Sequence, residues 1–306
     1  MNYITDTKPD TVAGVARSAM MVDLHISVYS GRKQDKATQG EVTTAKGSGS
    51  KKAASVYKNL FAECKELDDL TKFQARARAE HYRLTLPWND QGARLLPTAS
   101  LLEYQQTMGR YRSEFERLVD AFLDKYDTLV AAAAFQLGTL FDRKEYLSRA
   151  QVALRFRMES SFTPLPTSGD FRLDVESTVQ RELVEQYERR MEAKLAQANQ
   201  DSWSRLHDAL LRLSDRLVIE EDGKKRKFHD TMVTGALELC DLLTVMNVTH
   251  DPELEKARRK VEEVLSGVTP KELRDEHSTR VQTKQQVDAI LDAFDWGDTP
   301  DEGVEE

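Results

Sequence analysis

Cysteine is nearly missing from this chain. Cys64 and Cys240 are its only two in 306 residues, too few for a disulfide framework and without the spacing of a metal knuckle. Each sits among apolar residues at helical spacing, as a buried thiol does, and a reducing, cytoplasmic setting follows. Long hydrophobic runs are also absent. Nothing approaches the ~20 apolar residues of a membrane span, so no membrane partner is expected. The opening MNYITDTKPD has neither the basic flank nor the apolar core of a secretory signal.

Enzyme motifs are missing as well. Gly47-Ser48-Gly49-Ser50-Lys51-Lys52 lacks the glycine spacing that cradles a phosphate. There is no HExxH, no nucleophile elbow and no paired-cysteine motif. The six histidines, His25, His81, His207, His229, His250 and His277, are scattered over separate segments. These absences argue against an enzyme, and neither a cofactor nor a metal ion is expected.

A basic excess is lacking too, since 44 Lys and Arg face 52 Asp and Glu for a net charge of −8. That acidity belongs to one end. Residues 288–306 hold Asp288, Asp292, Asp295, Asp298, Asp301, Glu302, Glu305 and Glu306 with no basic residue, which leaves 1–287 formally neutral.

What is present is helix. From Phe171 to Glu220 there is no Pro or Gly, and straight-chain residues that lose little rotamer freedom abound. Val184, Tyr187, Met191, Leu195 and Ala198 step by three or four, as do Leu206, Leu210, Leu213 and Leu217. One helix of ~70 Å is predicted, packed in an antiparallel hairpin. Further helices are predicted over 53–78, 100–137, 228–248 and 251–267, with a last amphipathic piece after Thr269-Pro270. Period-two alternation marks strands near 22–28, 81–87 and 152–158. The fold class is therefore α+β, predominantly α, with long antiparallel helices packed on a small sheet. The strands are too few for an OB barrel. The organisation expected is a single globular domain over 1–287, carrying a flexible basic loop at 31–55, and then an acidic tail over 288–306.

Two features carry the functional reading. The first is cation beside aromatic. Residues 32–58 contain seven basic side chains against Asp35 and Glu41, in a Gly-, Ser- and Thr-rich stretch whose composition serves no evident core. Single-stranded nucleic acid is held by cations along its phosphates and by rings that stack its bases. Phosphate contacts are assigned to Arg32, Lys33, Lys36, Lys46, Lys51, Lys52 and Lys58, assisted by Arg83, Arg155 and Arg157. Tyr29, Tyr57, Tyr82 and Phe156 are the stacking candidates, although Phe156 could equally face the core. Lys224 to Lys227 reads as a solvated turn. The second feature is the tail, a mobile anion that would compete with nucleic acid for the basic surface and recruit a protein partner. Trp296 is its expected anchor, with Asp298, Asp301 and Glu302.

The basic loop from Lys33 to Lys58, the short basic strands, the long helices and the tail from Asp295 to Glu306 together resemble a family of phage proteins. These are the single-stranded-DNA-binding RNA polymerase cofactors of Pseudomonas podoviruses, the Drc-like proteins. The resemblance is one of size and layout over the whole chain, with no short diagnostic motif. It implies non-catalytic binding of single-stranded DNA in the host cytoplasm and recruitment of a phage RNA polymerase to melted promoters. A helical phage scaffold protein that homo-oligomerises through its long helices, or an adaptor for an ATPase, are the rival readings.

Overall fold

A computed structural model describes residues 12–50, 52–89, 92–166, 177–219, 226 and 228–297. It is 68% helical with a small antiparallel sheet of four strands, so the chain is predominantly α within the α+β class, as the sequence predicts. Residues 171–176 of the expected long helix, Lys51, the lysines 224, 225 and 227, and Asp298, Asp301 and Glu302 lie outside the described residues.

In chain order the elements are α1 (Val12–Ser18), β1 (Ala19–Ser27), β2 (Arg32–Gln34), α2 (Lys36–Ala45), β3 (Tyr57–Asn59), α3 (Lys65–Arg83), β4 (Leu86–Pro87), β5 (Arg94–Pro97) and α4 (Leu101–Leu137). There follow α5 (Arg149–Ala153), β6 (Arg157–Pro164), α6 (Ser177–Leu217), α7 (Thr231–Met246), α8 (Pro252–Ser266), α9 (Pro270–Asp275) and α10 (His277–Ala293). The four-stranded sheet runs β4-β5-β1-β6, and β2 and β3 form a separate two-stranded ribbon. Where one globular body over 1–287 is expected, the contacts gather into two compact units. A bundle unit takes 1–23, 83–102 and 162–306, and a ribbon unit takes 24–82 and 103–161.

The bundle unit is built on α6, which packs against α7 and α10, while α8 packs on α7 and α10. Its seam is the leucine row the sequence marks: Leu206, Leu210, Leu213 and Leu217 are all buried. Short polar caps set the helix starts. Asp251 accepts from the amides of Glu253 and Leu254 ahead of Pro252, and its other oxygen takes Asn199 Nδ2 at 2.9 Å and Trp203 Nε1 at 3.0 Å from α6. One carboxylate thus starts α8 and pins it to the long helix. Arg258 lies buried on α8 between Glu255 and Glu262. Arg280, 1% exposed, donates instead to backbone carbonyls: Nε to Leu217, Nη1 to Leu273, and Nη2 to Arg216 and Arg226. In the sheet, Ala19 to Val22 pair antiparallel with Pro97 to Arg94, and Leu86 and Pro87 with Leu95 and Arg94.

The ribbon unit surrounds an aromatic core. Phe61 meets Phe122 at 5.8 Å, Tyr126 at 5.5 Å and Tyr146 at 5.4 Å between ring centroids, and Phe73 of α3 meets Phe115 of α4 at 5.6 Å. The buried hydroxyls are satisfied, with Tyr126 donating to Leu147 O and Tyr146 to Leu60 O, both at 2.7 Å. Burial first of all pushes both phenols up to about 12.

Four expectations change here. The stretch 31–55 is not a plain loop but carries β2 and α2. The helix expected over 53–78 starts only at Lys65, because 57–59 is strand and Glu63 takes a left-handed φ of 60° that breaks a helix. The strand expected near 81–87 shrinks to Leu86–Pro87, since α3 runs on to Arg83. The strand expected over 152–158 begins at Arg157, because Ser148 and Gln151 form a capping box that winds 149–153 into α5.

Candidate nucleic-acid interface

The ribbon β2–β3 and the helix between its strands hold four of the ten sequence-assigned basic residues, Arg32, Lys33, Lys36 and Lys58. Gly31 leads in. Its φ of +60° suits glycine, and a Cβ there would lie 3.1 Å from Phe61 and 3.2 Å from Leu67, so the backbone lies directly on the core. Asp35 then caps α2, its side chain accepting from the amides of Ala37 and Thr38 and from the Thr38 hydroxyl. Those bonds, the Thr38 amide foremost, hold its carboxyl below the usual range. The ribbon closes with Asp35 N donating to Val56 O and Leu60 N to Gly31 O.

Register sorts the side chains. Arg32 pairs with Asn59, Lys33 with Lys58 and Gln34 with Tyr57. Alternation puts Arg32, Gln34, Tyr57 and Asn59 on one face and Lys33 and Lys58 on the other. Arg32 lies diagonally over the Tyr57 ring at 5.5 Å, a cation–π pair worth ~0.5–1 kcal/mol when exposed. Tyr57 is 54% exposed, so one side of its ring remains open to a base. Lys33, Lys36, Lys46 and Lys52 are exposed, and none of these side chains bonds or ion-pairs with a described residue.

Several assigned residues are placed otherwise. Lys58 is 11% exposed, paired with Glu145 at 2.6 Å and donating to Leu140 O at 2.9 Å, so its charge is already used. Tyr29 is half-buried with its ring edge-on to Phe61 at 6.3 Å, and burial pushes its hydroxyl up despite the opposing pull of Arg155. It belongs to the core rather than to a stacking platform. Phe156 is half-buried too, edge-on to Phe122 at 5.7 Å and Phe115 at 6.5 Å. Arg157 ion-pairs with Glu159, and Arg155 is exposed next to the Ser27 hydroxyl, which donates to its carbonyl at 2.9 Å. Tyr82 is half-exposed beside His81, and Arg83 falls in the other unit, where its carbonyl accepts from Arg205.

Trp296 is not an exposed anchor. It is 9% exposed, stacked on His207 at 4.9 Å and 18°, and edge-on to Trp203 at 5.5 Å. Its Nε1 donates to Leu291 O, and its carbonyl accepts from Gln200. Gly297 follows with φ +70°, so close that a Cβ would come within 2.7 Å of Gln200.

Behind the ribbon is a cleft of about 660 Å³, with Lys33 and Lys36 facing Glu41 and Asp142. Its mixed charge makes it no simple anion well. Gln34 and Asn59, amides sharing the face of Arg32 and Tyr57, escape the sequence reading, and only the alternation within two three-residue strands signals them. Among the described residues no group of three or more His, Cys, Asp or Glu could hold a metal ion. The chain matches no family model, no curated protein and no solved structure.

Proposed function

We propose that the chain is a non-catalytic binder of single-stranded DNA that holds the strand on the β2–β3 ribbon. The observation that carries this is the exposed Arg32–Tyr57 pair on one face of the ribbon, together with Lys33, Lys36, Lys46 and Lys52, which are exposed and whose side chains bond to no described residue. A ring with an open face stacks any base, and unpaired lysines track phosphates without reading sequence. Recruitment of a phage RNA polymerase to melted promoters belongs to the proposal through the family resemblance alone. With Trp296 buried, it would have to use Asp298, Asp301 and Glu302.

Anisotropy titration of labelled single-stranded and duplex 20-mers at low salt tests the reading. Single strands are expected to bind more tightly, and Arg32→Ala with Tyr57→Ala to weaken them about tenfold, as loss of one stacking platform does. A protein that ignores both DNAs and sediments as an oligomer would instead be a helical scaffold.

A further inference from the structure

A second feature of the ribbon unit shares no residue with the ribbon. Arg112, Glu116 and Asp120 recur every four residues along α4, which sets them on one side of the helix. All three are exposed, and none of their side chains bonds or ion-pairs with a described residue. Between them and the start of β6 is a cleft of about 380 Å³. Phe115, Phe156 and Met158 form its apolar floor, and Arg157 adds a second guanidinium to its rim.

The chemistry of this lining is selective. A bare anion would meet two carboxylates, a bare cation would meet two guanidiniums, and an apolar ligand would desolvate four charges for nothing in return. A nucleotide answers all three demands. Its phosphate suits Arg112 and Arg157, its flat base suits the apolar floor, and an exocyclic amino group can donate to Glu116 or Asp120 as cytosine does to acidic side chains. Arg157 already pairs with Glu159, but both partners are half-exposed or more. Such a pair is worth little and exchanges readily for phosphate.

We infer that this cleft takes one unstacked nucleotide of the bound strand and favours an amino-bearing base such as cytosine over thymine. Thymine would present a carbonyl oxygen to the carboxylates where cytosine presents an N–H donor. The inference rests on the reading of this unit as a single-strand binder, and it adds a base preference that the ribbon does not supply.

The test uses the intact protein with labelled oligo(dC) and oligo(dT) of equal length. The wild type is expected to prefer oligo(dC) about fivefold or more. Glu116→Ala with Asp120→Ala should abolish the preference without moving the melting temperature, since both residues are exposed. Arg32→Ala with Tyr57→Ala should weaken both oligonucleotides and keep their ratio. A wild type without preference, or a preference that survives Glu116→Ala with Asp120→Ala, overturns the cleft and leaves the ribbon standing. If no oligonucleotide binds, ligand-observed NMR with dCMP and TMP still decides. Line broadening of dCMP that is lost in the Glu116→Ala, Asp120→Ala protein supports the cleft even as the ribbon falls. Silence from both nucleotides removes the cleft as well.

Discussion

Lys33 and Lys58 stand directly opposite each other across β2 and β3, and only Lys58 is neutralised. Like charges in facing positions repel, and the fold resolves the conflict by turning Lys58 onto Glu145 while Lys33 stays in solvent. The two lysines should therefore answer differently to alanine. Lys58→Ala leaves Glu145, 16% exposed, without its cation, and should cost about 2 kcal/mol in urea unfolding. Lys33→Ala should stay within ~0.5 kcal/mol of the wild type while weakening single-stranded DNA. The opposite pattern would exchange the structural and binding roles given to them.

Lys46 and Lys52 offer a cleaner electrostatic readout, because no described side chain depends on them. Removing both should lower the slope of log affinity against log salt by about 1.4, at roughly 0.7 for each phosphate contact on a single strand. Titrations at four salt concentrations suffice, and an unchanged slope would mean that neither lysine touches the strand.

Trp296→Ala is expected to act on stability before it acts on any partner. The ring fills a buried space between Trp203 and His207, and truncation of a buried tryptophan costs about 3 kcal/mol or more. Chemical denaturation should show this loss, with a fall in near-ultraviolet circular dichroism as the Trp203 contact goes.

Acid should loosen α8. Hydrogen bonding from Arg258, followed by that from Arg259, holds the Glu255 carboxyl at about 2, against ~4.3 in an unfolded chain. A depressed carboxyl stabilises the fold above the unfolded value and loses that contribution as pH falls toward the folded one. The stability difference between the wild type and Glu255→Gln should thus be constant above about pH 5 and shrink toward pH 2. Thermal melts across that range measure it, and a difference that does not vary with pH would remove Arg258 as the cause.

Where local signals and burial agree, the sequence is transparent. The helix expected over 100–137 is found at Leu101–Leu137, because its apolar stripe is continuous and Gly138, at φ +51°, ends it. The Leu206 to Leu217 seam is legible for the same reason. Helix α2 is not, since Thr43 is its only buried residue and an exposed helix leaves no apolar period to find. Val56, Leu60, Phe61 and Cys64 mislead in the other direction. Their spacing is helical, yet Leu60, Phe61 and Cys64 enter the core from a turn. At the candidate site, composition points to the basic residues of 32–58. It cannot separate Lys33 from Lys58, because that depends on Glu145, far along the chain. Trp296 is misread for a like reason, its neighbours being rings at positions 203 and 207.

Arg280 ties its surroundings into one cooperative piece. Its guanidinium takes carbonyls from the end of α6, from α9 and from residue 226, with no carboxylate among the four acceptors. The last turns of α6 and α9 leave carbonyls without helical partners, and one planar fork of donors answers several of them together. Releasing any one of these strands of backbone exposes a buried cation, so they cannot fray separately. In hydrogen exchange, the end of α6, α9 and the start of α10 should open as a single foldon with one shared free energy.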